Sequence, residues 1–187
     1  MKKLIFIIAS GCFIMACNNE STEKPKDEKM DKKDEAASSN ITYPYKASYS
    51  SDIKMGDSNH AKLVLDFFKG WEDGTMTGWK DMLADSVWIH FADGQKFNLP
   101  KDSVIKMASD FRSMYSKVKL DVQSWMPVHV NDKNEDYLLA WDREYTTNKK
   151  TNKVDSVDSH SFWQVKNNKI AGWQDYSSKL VAEPMKK

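Results

Sequence analysis

The stretch VDSHSFWQVKNNKIAGWQDYS, Val157 to Ser177, holds two strands and the turn between them. Val157 to Val165 and Lys169 to Ser177 alternate with period two, and Asn167-Asn168 supplies turn residues at the join. Upstream, Val118 to Val130 and Asp136 to Thr147 (DYLLAWDREYTT) alternate in the same way, with turns at Asn131 to Glu135 and Asn148 to Lys153. Four long strands in succession, joined by short polar turns, predict an antiparallel sheet.

Working back from that sheet, the pattern changes period. His60, Leu63, Val64, Phe67, Phe68 and Trp71 recur at helical spacing behind Asp57-Ser58-Asn59, which offers N-caps. Gly74 and Gly78 interrupt, and Trp79, Met82 and Leu83 suit a short second helix. Val87 to Phe91 is rich in β-formers, and Ala92-Asp93-Gly94-Gln95 turns it into a brief return strand. After Pro100, the residues Val104, Met107, Ala108, Phe111, Met114 and Tyr115 make a third amphipathic stripe. Helices first and long strands last is an α+β order, with the helices laid on one face of the sheet and a pocket between the layers.

Two segments carry a family resemblance: Gly74…Trp79-Lys80-Asp81-Met82-Leu83-Ala84-Asp85-Ser86-Val87-Trp88 and Val165-Lys166-Asn167-Asn168-Lys169-Ile170…Trp173-Gln174-Asp175-Tyr176. From Asp52 to Ser178 the chain resembles the nuclear transport factor 2-like superfamily, most closely its SnoaL-like branch. The resemblance implies a cone-shaped α+β fold, with about three N-terminal helices on a strongly curved, mainly antiparallel sheet of about six strands. The superfamily holds isomerases, hydrolases, cyclases and many non-enzymes, so function must be argued from the site.

Some of its chemistries find no residues here. Counting across the similar spacing puts Phe67 and Phe91 where ketosteroid isomerases carry a Tyr and an Asp, and neither Phe exchanges a proton. The third position falls on His160 or Ser161. Limonene-epoxide-hydrolase-like members need an Asp-Arg-Asp arrangement, but Tyr145 stands two residues after Arg143, and Asp142 and Glu144 are expected on the other face.

The inward faces are read as Tyr137, Leu139, Trp141, Arg143 and Tyr145 on one strand and Trp173, Asp175 and Ser177 on the last. That brings Arg143 and Asp175 together across the pocket. In SnoaL-like cyclases an Asp on the last strand is the acid/base, which makes Asp175 the first catalytic candidate and Arg143 its electrostatic partner. A buried ion pair closing one end of the sheet is the structural alternative. Phe67, Trp71, Phe91, Trp141, Tyr145, Trp163 and Trp173 are expected to line an apolar pocket; a core with no cavity left is the alternative. Trp88 and Trp125, expected on the opposite face, fit the sheet-face homodimer contact common in the family. His60, His90, His129 and His160 show no pair at metal-ligand spacing, so neither a metal nor any other cofactor is expected.

The N-terminus is an address. Lys2 and Lys3 precede a short apolar run that closes in Ile14-Met15-Ala16-Cys17. It resembles a bacterial lipobox, which implies residues 1–16 as signal peptide and Cys17 as a lipidated mature N-terminus carrying acyl chains such as palmitate. Asn18 and Asn19 follow, and the absence of an Asp there favours the outer membrane if the source is a diderm bacterium. Residues 17–51 read as a charged tether, 52–180 as the SnoaL-like domain and 181–187 as a tail; Asn18 to Asn40 contains no aromatic residue.

The whole chain, 187 residues with a net charge of +1, has room for one domain and lacks the basic excess of a nucleic-acid binder. Both cysteines lie within the first seventeen residues, so the domain has no thiol chemistry. The leading expectation is a lipid-anchored envelope protein binding a small, largely apolar molecule. The alternatives are an acid/base enzyme using Asp175 and Arg143, or a dimeric interaction module with a filled pocket.

Overall fold

A computed structural model describes residues 42–179; the expected signal peptide, Cys17, most of the expected tether and the expected C-terminal tail lie outside the described residues. The chain divides into two compact units, Met1–Pro44 and Tyr45–Lys187. Of the first, only the exposed residues 42–44 are described. The second carries the architecture that follows.

Its elements are β1 (Ile53–Met55), α1 (Ser58–Asp73), α2 (Trp79–Met82), β2 (Leu83–His90), β3 (Lys96–Pro100), α3 (Lys101–Arg112), β4 (Tyr115–Val130), β5 (Glu135–Asn148), β6 (Val154–Lys166) and β7 (Lys169–Lys179). The strands form one curved, unclosed sheet in the order β1-β4-β5-β6-β7-β2-β3. Every pairing is antiparallel except β2 with β7. Seven strands stand where about six are expected; the extra one, β1, is a three-residue edge strand paired with Val128 to Val130. Its Ile53 and Met55 are exposed, and three residues are too short a run to establish a period.

Local chemistry sets the boundaries. Asp57 caps α1 by accepting from the Asn59 N–H at 2.8 Å, and Gly74 ends it in the left-handed region at φ 72°. Asn167 and Asn168, at φ 52° and 55°, make the tight β6–β7 turn, a conformation that Asn tolerates well. Helix α3 stops at Arg112, short of the expected Met114 and Tyr115, and Tyr115 opens β4 instead. Arg112 fixes that junction. Its guanidinium donates to the carbonyls of Trp71, Glu72 and Tyr115 at 2.9–3.0 Å, closing the end of α1 with a cation where the helix dipole favours one. Before β1, Tyr49 hydrogen-bonds Glu135 and Ser50 donates to Asp132 at 2.7 Å, so residues expected in the tether touch the domain.

The core lies between α1, α2 and the sheet. Phe67 stacks on Trp79 at 3.7 Å, Trp163 stacks on Trp173 at 4.7 Å, and Phe68 meets Trp163 edge-on at 5.1 Å. Gly70 is needed here, because a Cβ would lie 2.6 Å from the Trp79 indole nitrogen, which donates to the Phe67 carbonyl.

Candidate functional site

The cross-strand register decides which side chains meet. Leu138, Ala140, Asp142 and Glu144 of β5 pair with Trp163, Ser161, Ser159 and Val157 of β6. Trp163, Ser161 and Ser159 pair in turn with Trp173, Asp175 and Ser177 of β7. Side chains directly opposite share a face, so this whole set stands on the helix side of the sheet. With α1, α3 and the β2–β3 turn it encloses a cavity of about 670 Å³.

The cavity is apolar along most of its wall and acidic at one end. Phe67, Trp71, Phe91, Trp163 and Trp173 line it, and Asp175 points into it. Arg143, Trp141 and Tyr145 do not reach it. They share the opposite face, where Arg143 makes a bidentate pair with Asp158 at 2.6 and 2.9 Å and Trp141 stacks on His160 at 4.7 Å. The expected Arg143–Asp175 pairing is therefore absent, and Asp142 and Glu144, expected outside, are inside. The physical reason is that both parities of β5 are apolar: Tyr137, Leu139 and Trp141 on one face, Leu138 and Ala140 on the other. Period two then defines a strand without saying which side is covered.

Three carboxylates thus converge on the cavity with Ser159, Ser161 and Ser177 beside them. Asp142 is 8% exposed and accepts no hydrogen bond from any described residue. Burial first, then the charges of Glu144, Asp175 and Asp158, push its carboxyl up to about 7. Burial raises Asp175 to about 6, against the pull of a hydrogen bond from the Trp173 side chain. Burial raises Glu144 as well, opposed by the Trp71 indole, which donates to it at 2.6 Å, and by the charge of Arg112. Such groups can hold or release a proton close to neutrality, and can balance a positive charge.

The histidines take other positions. His60 and His129 both approach Asp136, at 4.0 and 2.9 Å. His90 lies 3.4 Å from Gln174, and the buried Nε2 of His160 has no hydrogen-bond partner. Trp88 lies across Gly172 and donates to Gln164 at 2.9 Å. Trp125 pairs with Ala140, so it takes the parity of the helix side rather than that of Trp88, and is half exposed at the sheet edge.

Seen whole, the curved mixed sheet with its helices on one face has solved counterparts. It is the fold of SnoaL-like and nuclear transport factor 2-like proteins. A proposed SnoaL-like polyketide cyclase from a Jannaschia species superposes with a TM-score of 0.54 at 11% identity, over 65% of this chain and 87% of that one. An epoxide hydrolase of the limonene type from M. tuberculosis gives 0.54 at 8% identity, over 65% and 84%. A nuclear transport factor 2-like protein from Anabaena variabilis gives 0.52 at 16% identity, over 67% and 93%. No family model matches the sequence, and no curated protein matches it. The SnoaL-like fold is shared by proteins of different chemistry, so the cavity's own residues carry the functional argument.

Proposed function

We propose that this SnoaL-like domain binds a small, largely apolar molecule in the cavity, with the carboxylates at its acidic end orienting one polar group. The supporting observation is the wall itself: about 670 Å³ of space bounded mostly by aromatic and aliphatic side chains, with polar groups gathered at one end. Native mass spectrometry of the purified full chain tests it. A retained small molecule that leaves on denaturation is expected. A bare protein whose tryptophan fluorescence is unmoved by a panel of apolar ligands contradicts it, and shifts weight to an interaction module with the sheet face as its contact.

A second reading is acid/base catalysis on such a ligand. It is favoured by two inward carboxyls, Asp142 and Asp175, held at about 7 and 6, in the range where general acids and bases work. Similar folds include proteins described as a polyketide cyclase and an epoxide hydrolase. In this reading Asp175 takes a proton from the ligand and protonated Asp142 donates one to it, while Arg143, on the far face, takes no part. Asp175→Asn then abolishes turnover while apolar ligand affinity survives.

For the rest of the chain, we propose lipidation at Cys17 and anchoring in the cell envelope, at the outer membrane in a diderm source. Radiolabelled palmitate entering the protein, and lost in Cys17→Ser, supports this. We also propose a homodimer through the aromatic face carrying Trp88, Trp141 and Tyr176. A purely monomeric mass in light scattering contradicts it.

A further inference from the structure

The polar end of the cavity has a composition that narrows the ligand further. Asp142, Glu144 and Asp175 line it, Asp93 stands at its rim, and no Lys, Arg or His is among the described residues that line it. Arg112, whose charge acts on Glu144, does not line the cavity and is occupied with three main-chain carbonyls. Glu144 has the Trp71 indole and Asp175 has Trp173, but Asp142 has no donor among the described residues. A carboxylate 8% exposed, facing an open space and lacking a donor, is costly unless the space supplies one. The neighbouring wall is aromatic, formed by Trp71 stacked on Phe111 with centroids 6.1 Å apart and by the Trp163–Trp173 stack, and the indole N–H groups of Trp71 and Trp173 are already spent on Glu144 and Asp175.

Resting on the binding reading above, we propose that the ligand is a cationic amphiphile: an amine or quaternary ammonium whose positive head sits among Asp142, Glu144 and Asp175 and whose apolar body lies along the aromatic wall. A cationic head supplies the counter-charge the cavity lacks, and a protonated amine also supplies the donor Asp142 lacks. A neutral ligand supplies no charge, and an anionic one adds to the repulsion.

Proton linkage gives the proposal a signature. The charges that act on Asp142 are those of Glu144 on its own strand, Asp175 on β7 and, from the far face, Asp158 on β6; the Trp71 indole of α1, Arg112 of α3 and Tyr115 of β4 act on Glu144. Protonated carboxyls among them must ionise to hold a cation, so binding releases protons between about pH 6 and 7.

Calorimetry on the full chain with 4-phenylbutylamine, 4-phenylbutan-1-ol and 4-phenylbutyrate tests this. At about pH 7.5 the amine is expected to bind at least about tenfold more tightly than the alcohol, and the carboxylate more weakly than either. The preference for amine is expected to shrink at about pH 5, where the carboxyls hold their protons. Comparing two buffers of different ionisation enthalpy near pH 6.5 is expected to show proton release with the amine and none with the alcohol. Asp142→Asn is expected to weaken the amine about tenfold and leave the alcohol unchanged. If the alcohol binds as tightly as the amine, or amine binding releases no proton, the cationic ligand is overturned while the apolar cavity stands. If none of the three binds, both fall.

Discussion

The indole of Trp71, one turn from the end of α1, donates its N–H to Glu144 on β5 at 2.6 Å. This bond ties the helix layer to the sheet beside the acidic end of the cavity, and it opposes the rise that burial imposes on the Glu144 carboxyl. Trp71→Phe preserves most of the ring and removes the donor. It is expected to cost about 1–3 kcal/mol near pH 8, and less at acid pH, where carboxylates take up protons. Urea unfolding at the two pH values checks this; equal, negligible losses at both would show that the bond does not form in solution.

Asp142 sets a pH dependence whose sign follows from its raised carboxyl. The unfolded group ionises around 3.8 and the folded one at about 7, so the folded state holds the proton more tightly. The contribution of Asp142 is neutral below 3.8 and becomes increasingly destabilising as pH rises toward 7. Asp142→Asn is expected to raise stability near pH 8 by on the order of 2 kcal/mol and to leave it little changed near pH 3. Thermal unfolding of both proteins across that range reads the difference.

Gly172 and Trp88 form a contact that admits no larger residue. A Cβ at position 172 would fall within the van der Waals envelope of the Trp88 ring. Gly172→Ala is expected to cost about 1–3 kcal/mol, and Trp88→Leu in the same chain to recover part of it. A double-mutant cycle measures the coupling, and strict additivity would mean the ring does not lie across the strand.

Arg143 is expected to matter little to the cavity. It pairs with Asp158 on the far face of the sheet. Arg143→Leu should leave ligand affinity, measured by tryptophan fluorescence, unchanged. A large loss of affinity would place the guanidinium on the helix side after all.

The elements were legible because each carries its own local signal: the Asn167-Asn168 turn, the Asp57 cap, the apolar stripe of α1. The three-residue β1, Ile53-Lys54-Met55, is too short to establish a period and is defined by its backbone pairing with β4. The helix-side parity of β5 was hidden by two apolar faces, yet the turn lengths held the answer. An even number of residues, Asn148 to Lys153, lets Thr147 pair with Val154, so an odd-numbered residue of β5 faces an even-numbered one of β6. Trp141 and Trp163 therefore cannot share a face, and the choice of Trp163 for the interior brings Asp142 and Glu144 in with it. The lining of the cavity was half legible for that reason: the parity read for β7 puts Asp175 on the cavity side, where the register also has it, and the parity read for β5 puts Arg143 there, where the register does not.

Site-resolved NMR titration of the carboxyl carbons addresses that parity most directly. With Asp142 facing a largely apolar cavity, its carboxyl is expected to titrate at about 7 and that of Asp175 at about 6. An Asp142 that titrates at the ordinary 3.8 would contradict its inward placement, and with it the acidic end of the cavity.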